Sequence, residues 1–181
     1  LNTDYQEVLN NFVLSHPIAG SEKSSLEFSN NELFNKKVSV ISPHEHNSQG
    51  DIDRVINFWN QLGSSTKLLS YQEHDLIFSK TSHLPHVISY ALTESLFNSL
   101  NDETFNFSGG SLEDYTRIAS SDPIMWKDIL ISNNQNIINS INDFEKSLNK
   151  LKELITNKDE EALVDFLSKT KTLRDNAVAN N

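Results

Sequence analysis

A heptad seam constrains this chain more than any other feature. Ile137, Ile141, Phe144, Leu148, Leu151 and Ile155 are spaced 4-3-4-3-4, which lines apolar side chains along one stripe of a helix. The pattern predicts one long helix from about Pro123 to Asn157. At 1.5 Å per residue such a helix would span roughly 50 Å, too long to bury against a small domain alone. A partner surface is therefore expected, most economically a second copy of the same chain.

The helical period extends well beyond the seam. From about Tyr71 onward, Leu84, Val87, Ile88, Ala91, Leu92, Leu96 and Phe97 keep it, and Pro85 should kink that helix or mark its true start. Asp159-Glu160-Glu161 should cap a last helix through Leu163, Phe166, Leu167 and Leu173. The helical part is expected to form one unit, residues 71–181.

Residues 1–70 read differently. Tyr5 to Asn11 resemble the tail of a helix, and Phe12-Val13-Leu14 a short buried strand. A loop then carries Pro17 and Gly20 away from the strand end, where open α/β sheets place ligands. Lys37 to Pro43 is a second strand, Asp51 to Leu62 an amphipathic helix closed by Gly63, and Lys67 to Ser70 a third strand. Strand, strand, helix, strand is the back half of an α/β sheet. Gly20, Gly50, Gly63, Gly109 and Gly110 are all the glycines present, and no three make a Gly-x-Gly-x-x-Gly turn. The chain opens without an initiator Met and reaches a strand within a few residues, so a further segment upstream is expected.

Charge narrows the partners. A net charge of −10 with pI near 4.9 argues against nucleic acid or an anionic membrane, and Lys and Arg form no basic stripe. No apolar run approaches the ~20 residues needed to span a bilayer. The absence of cysteine excludes disulfides and thiolate metal sites and fits a reducing cytoplasm.

Several residues could carry chemistry. Ser111 to Ala119 reads as a short polar helix with Asp114 and Arg117 at i and i+3, followed by an Asp122 N-cap with Pro123 at the first helical position. An arginine beside a helix break, after Gly109-Gly110, suits a planar carboxylate; a surface ion pair is the default for an anonymous Asp-x-x-Arg. His16 is either a hydrogen-bonded loop residue or a general base. His83 and His86, with His74-Asp75 before them, invite a metal site of the HD phosphohydrolase type. Such a site needs further ligands on upstream helices, whereas the only histidines upstream of His74 are His44 and His46, in a Pro-bounded loop, and His16 on a strand end. A helix-capping or core role is the default for His74 and Asp75, an anchoring role for Trp126, and a polar loop for Ser21, Glu22 and Lys23.

Taken in order, His16-Pro17-Ile18-Ala19-Gly20-Ser21-Glu22-Lys23-Ser24, His74-Asp75, Ser82-His83-Leu84-Pro85-His86, Asp114-Tyr115-Thr116-Arg117-Ile118-Ala119 and Ser121-Asp122-Pro123-Ile124-Met125-Trp126 resemble the prephenate dehydrogenase family, which includes the arogenate and cyclohexadienyl dehydrogenases of tyrosine biosynthesis. The resemblance runs from about Phe12 to Arg174. It implies a mixed fold: the C-terminal part of a Rossmann-like α/β sheet (1–70, truncated at its N-terminus), then an all-α helical dimerisation and substrate domain (71–181).

It also implies a cytoplasmic homodimer that oxidises prephenate or arogenate with NAD or NADP and releases carbon dioxide as the ring becomes aromatic. His16 would be the catalytic base and Arg117 the carboxylate clamp, with Asp114 holding that guanidinium or lying at the pocket mouth. His86 would face the substrate side chain. Gly110 and Trp126 would shape the pocket wall, and Ser21 and Lys23 would lie beside the cofactor–substrate junction, the main cofactor site being upstream. No metal is implied. By itself the segment is expected to be inactive. The alternatives are a non-catalytic helical dimer that binds prephenate or tyrosine, and the HD-type phosphohydrolase.

Overall fold

The computed structural model describes residues 12–19, 30–99 and 106–179. Two compact units are present, Leu1–Asn134 and Gln135–Asn181.

In the first unit, three strands form a sheet in the order β1 (Leu14–Pro17), β2 (Val38–Ser42), β3 (Ser65–Leu68). β2 is central, antiparallel to β1 with His16 opposite Val40, and parallel to β3 with Val40 opposite Lys67. Burial follows from that placement: Ser39 and Ile41 are fully buried and Val40 nearly so, so both faces of β2 are covered. The Ser39 and Ser64 hydroxyls, 2.8 Å apart, satisfy each other where no water reaches.

Helix α1 (Gln49–Gln61) makes the crossover from β2 to β3. Ser48 caps it, its side chain accepting from the Asp51 N–H, and Ile52 and Trp59 are its buried anchors. The chain leaves α1 through Gly63 at φ +82°, where a Cβ would sit 2.9 Å from Asn35 Oδ1 and 3.2 Å from Asn35 Cα.

The first strand corrects the sequence reading. Phe12-Val13-Leu14 was expected as a buried strand and His16 as a loop residue, yet the strand is Leu14–Pro17, with His16 in its middle. Leu14 is 43% exposed. β1 is an edge among the described strands, and an edge accepts polar residues and a proline that an apolar-run criterion rejects. β3 likewise begins at Ser65, two residues before the expected Lys67. Tyr5–Asn11 lies outside the described residues.

Helix α2 (Tyr71–Phe78) follows β3 directly and opens with a full capping box: Ser70 Oγ accepts from the Glu73 N–H while the Glu73 carboxylate accepts from the Ser70 N–H. A wide π-helical turn, Ser79–His83, joins it to α3 (Leu84–Ser99). Pro85 accounts for the widening: it has no N–H to give, and its ring crowds the carbonyl one turn back.

After α4 (Gly110–Thr116) and a 3-10 turn (Arg117–Ser120) comes α5 (Pro123–Ser132). The Asp122 cap is found as expected, Oδ1 accepting from the Met125 N–H at 2.8 Å. The single helix expected over 123–157 is not. It breaks at Asn133, and α6 (Asn134–Asn157) starts afresh. The backbone leaves helical geometry at Asn133, with φ −111° and ψ 28°, and its buried side-chain amide, which donates to the Asp75 carbonyl at 2.7 Å, anchors that turn to α2. Helices α2 to α5 fall with the sheet in the first unit.

In the second unit, α6 spans 24 residues, roughly 36 Å. It stops at Lys158, whose positive φ of 54° reverses the chain, and Asp159 Oδ1 accepts from the Ala162 N–H to start α7 (Glu160–Ala179). The seam on α6 is only partly covered: Ile137 is buried, whereas Leu148 and Ile155 are 51% and 58% exposed. On α7, Val164, Leu167, Leu173 and Val178 are exposed as well. No helix among the described residues is long and apolar enough to cross a membrane.

Candidate active site

β1 and α2 meet at a chain of three titratable side chains. His16 Nδ1 lies 2.8 Å from His74 Nε2, and His74 Nδ1 lies 2.9 Å from Asp75 Oδ1. The directions follow from the chemistry of the end group. A carboxylate only accepts, so His74 donates Nδ1–H to Asp75. That leaves a lone pair on Nε2 of the neutral His74 ring, which accepts Nδ1–H from His16. The Nε2 of His16 is then an unprotonated acceptor, as a general base requires.

Phe78, one turn after His74, packs on both rings, with centroids 4.9 Å from His16 and 4.4 Å from His74. Packing takes the His16 ring partly out of water, and the adjacent His74 further disfavours a second positive charge. Both effects hold the His16 pKa below the ordinary histidine value. His83 is lowered in the same way, by burial first and then by His74, with Asp75 pulling in the opposite direction.

Cavities flank His16. One, of about 340 Å³, is walled by Leu14, Ser15, Tyr71, His74 and Asp75 among others; the second, of about 430 Å³, by Ile18, Ala19, Phe78, Thr81 and Ser82. His16 lines both. Ser82, on the wall of the second cavity, is also the partner of His86, which donates Nδ1–H to the Ser82 carbonyl at 2.9 Å and so keeps Nε2 as its acceptor. The His86 ring is stacked on Trp126 at 3.6 Å between centroids, and Trp126 with Tyr90, Pro123, Leu130 and Ile131 lines an apolar groove of about 320 Å³. Asn133 ties these parts together, its amide reaching both the Asp75 carbonyl and His83 Nδ1.

The residues singled out in the sequence are therefore distributed. His16 lines two of the cavities and Trp126 the apolar groove, with His86 stacked on Trp126. Asp114 and Arg117 are exposed at the end of α4 and the start of the 3-10 turn, and among the described residues they do not line these three cavities, nor does Gly110. Ser21 and Lys23 lie outside the described residues. The default role for His74 and Asp75 is corrected: Ser70 and Glu73 do the capping, while His74 and Asp75 face a cavity. The Ser-x-x-Glu box marks where α2 starts, but no local signal points to His16, which lies on β1, two strands away from β3. Among the described residues, no group of three His, Cys, Asp or Glu side chains could hold a metal ion.

Residues 70–169 match the family described as prephenate dehydrogenase, dimerization domain, and residues 1–68 match prephenate dehydrogenase, nucleotide-binding domain. The chain belongs to the prephenate dehydrogenase family. Among curated family members it is 30% identical to the cyclohexadienyl dehydrogenase of Zymomonas mobilis over 93% of this chain and 59% of that protein. It is also 30% identical to the prephenate dehydrogenase of Bacillus subtilis, over 91% of this chain and 45% of that one. This chain thus spans about half the length of the curated prephenate and cyclohexadienyl dehydrogenases it matches. Its fold superposes with a TM-score of 0.88 on the prephenate dehydrogenase of A. aeolicus solved with hydroxyphenyl propionate and NAD+, at 40% identity, covering 96% of this chain and 62% of that one. The Synechocystis arogenate dehydrogenase shares the fold at a TM-score of 0.81 with 22% identity, covering 98% and 65%.

Proposed function

We propose that the protein catalyses the oxidative decarboxylation of prephenate to 4-hydroxyphenylpyruvate, or of arogenate to tyrosine, in tyrosine biosynthesis in the cytoplasm. The observation that carries this reading is His16, held between two cavities with Nδ1 occupied and Nε2 available, in a member of this family.

The ring hydroxyl of the substrate gives its proton to His16 Nε2 while the carbon bearing it loses hydride and takes on carbonyl character. Loss of the ring carboxylate as carbon dioxide then returns an electron pair to that oxygen, which recovers the proton from His16 as a phenol. Aromatisation makes the sequence irreversible. Placing the ring on the Ser82 side of His16 would set its side chain toward His86. Arg117 would clamp a carboxylate with its planar fork, Asp114 would orient that guanidinium, and Gly110 and Trp126 would shape the wall. Ser21 would lie near the junction with the cofactor.

The residues present suit the nicotinamide end of NAD or NADP: the cavity on the other side of His16 has an apolar edge at Leu14 and hydroxyls at Ser15 and Tyr71 for a carboxamide. Lys23 would lie close by. When bound, the nicotinamide supplies the hydride acceptor.

The active form would be a homodimer joined through the helical domain, 71–181, with the α/β domain at 1–70. The open seam on α6 and the apolar face of α7 support this, because a second copy would cover both.

The test is NADH formation from prephenate by the full-length protein and its His16→Asn variant. General-base catalysis contributes typically 10²–10⁴-fold. The variant should lose about that factor in kcat and keep its affinity for a product analogue. A wild-type rate would refute the assignment of His16.

A further inference from the structure

We propose that Asp75 and His74 are positioning residues that fix His16 in its Nδ1–H tautomer and take up its proton during the reaction, so that the base is a three-residue relay. The inference deepens the dehydrogenase reading and rests on it.

A neutral imidazole open to solvent populates two tautomers, and only one presents a lone pair at Nε2. Here the choice is made two residues away. Asp75 can only accept, which fixes His74, and His74 Nε2 in turn fixes His16, over 2.9 and 2.8 Å. Once His16 has received the substrate proton at Nε2, its Nδ1 proton can pass to His74 Nε2. The imidazolium is then His74, beside the Asp75 carboxylate, and His16 is neutral again. No proton is lost or gained: the step moves one N–H across one hydrogen bond. It reverses when the phenol oxygen recovers its proton.

Stability does not account for this arrangement. The His74–Asp75 pair is part-exposed, at 22% and 45% of the two side chains, and such pairs contribute little to folding. Two imidazoles at hydrogen-bond distance cannot both be charged cheaply, which is a cost and not a gain. What the arrangement does supply is order. Phe78 packs both rings, the Ser70–Glu73 box sets the start of α2, and Asn133 holds the Asp75 carbonyl. The titratable groups facing His16 are His74 and Asp75 from α2 and His83 from the wide turn, with Tyr71 sharing a cavity wall.

The decisive variants are His74→Phe, which keeps a ring against Phe78 and removes the acceptor, and His74→Gln, whose amide oxygen can still accept from Nδ1. Imidazole nitrogen-15 NMR of the full-length protein reads the tautomer of His16 without any turnover. In the wild type Nδ1 should carry the proton. In His74→Phe the Nε2–H form should appear, and kcat should fall by at least about tenfold with KM nearly unchanged. A wrong-tautomer base elsewhere costs up to about 10⁴-fold. His74→Gln should recover part of both signals. A wild-type His16 protonated at Nε2 would overturn the relay, as would a His74→Phe enzyme with unchanged tautomer and kcat. If His16→Asn proved fully active while NMR showed the locked tautomer, the dehydrogenase role of His16 would fail and the ordering of His16 by His74 and Asp75 would stand.

Discussion

Removing the Trp126 indole tests the floor under His86. Trp126 is 6% exposed, stacks on His86 at 3.6 Å and 21° between ring planes, and meets the His83 ring edge-on at 6.1 Å. Trp→Ala at a buried site costs about 3–5 kcal/mol. One feature pulls toward the low end: the groove of about 320 Å³ beside the indole is already open, so the vacated space joins it and fills with solvent. Loss of the stack adds about 1 kcal/mol. Trp126→Ala should thus destabilise by roughly 4 kcal/mol, and at ~2–4 °C per kcal/mol for a domain of this size, Tm should fall by about 8–16 °C. Trp126→Phe keeps a ring over His86 and should cost only about 1–2 kcal/mol. Calorimetry and urea titration measure both. If Ala and Phe proved equally mild, each under about 1 kcal/mol, the stack would not be holding His86 and the wall assigned to it would be wrong.

Two further outcomes follow from the same geometry. Gly63→Ala should destabilise by about 1–2 kcal/mol from the positive φ alone, and by more because the new methyl meets Asn35 backbone at 3.2 Å; an unchanged urea midpoint would contradict the turn. Stability should also fall on acidification: His16 and His83 are both held below the ordinary value near 6.5, so between that pH and their folded values the unfolded chain binds more protons. The loss begins as pH drops through about 6.5, before the lowered carboxyls of Asp51 and Glu73 are protonated, and a denaturation midpoint that is flat or rises from pH ~7.5 to ~5.5 would count against it.

Interactions within one helical turn made much of the fold legible in the sequence. The Asp122-Pro123 start, the Asp159 cap, the helix closed by Gly63 and the apolar run of β2 each depend on residues within about four positions. The ordered motifs from His16 to Trp126 carried the family as well. Contacts between distant segments had to come from the folded chain. The helix that reads as continuous over 123–157 breaks at Asn133, whose amide has partners 58 and 50 residues away. His16 reads as a loop residue until pairing with β2 makes it part of an edge strand, and its partner His74 is 58 residues on.

By itself the sequence determined which residue types were present and what period they kept, since propensity and capping act locally. Only the tertiary structure decided that an imidazole on β1 meets an imidazole and a carboxylate on α2. A hydrogen bond about 3 Å long needs both chains already in place, and nothing in the spacing of His16 and His74 along the sequence encodes that meeting.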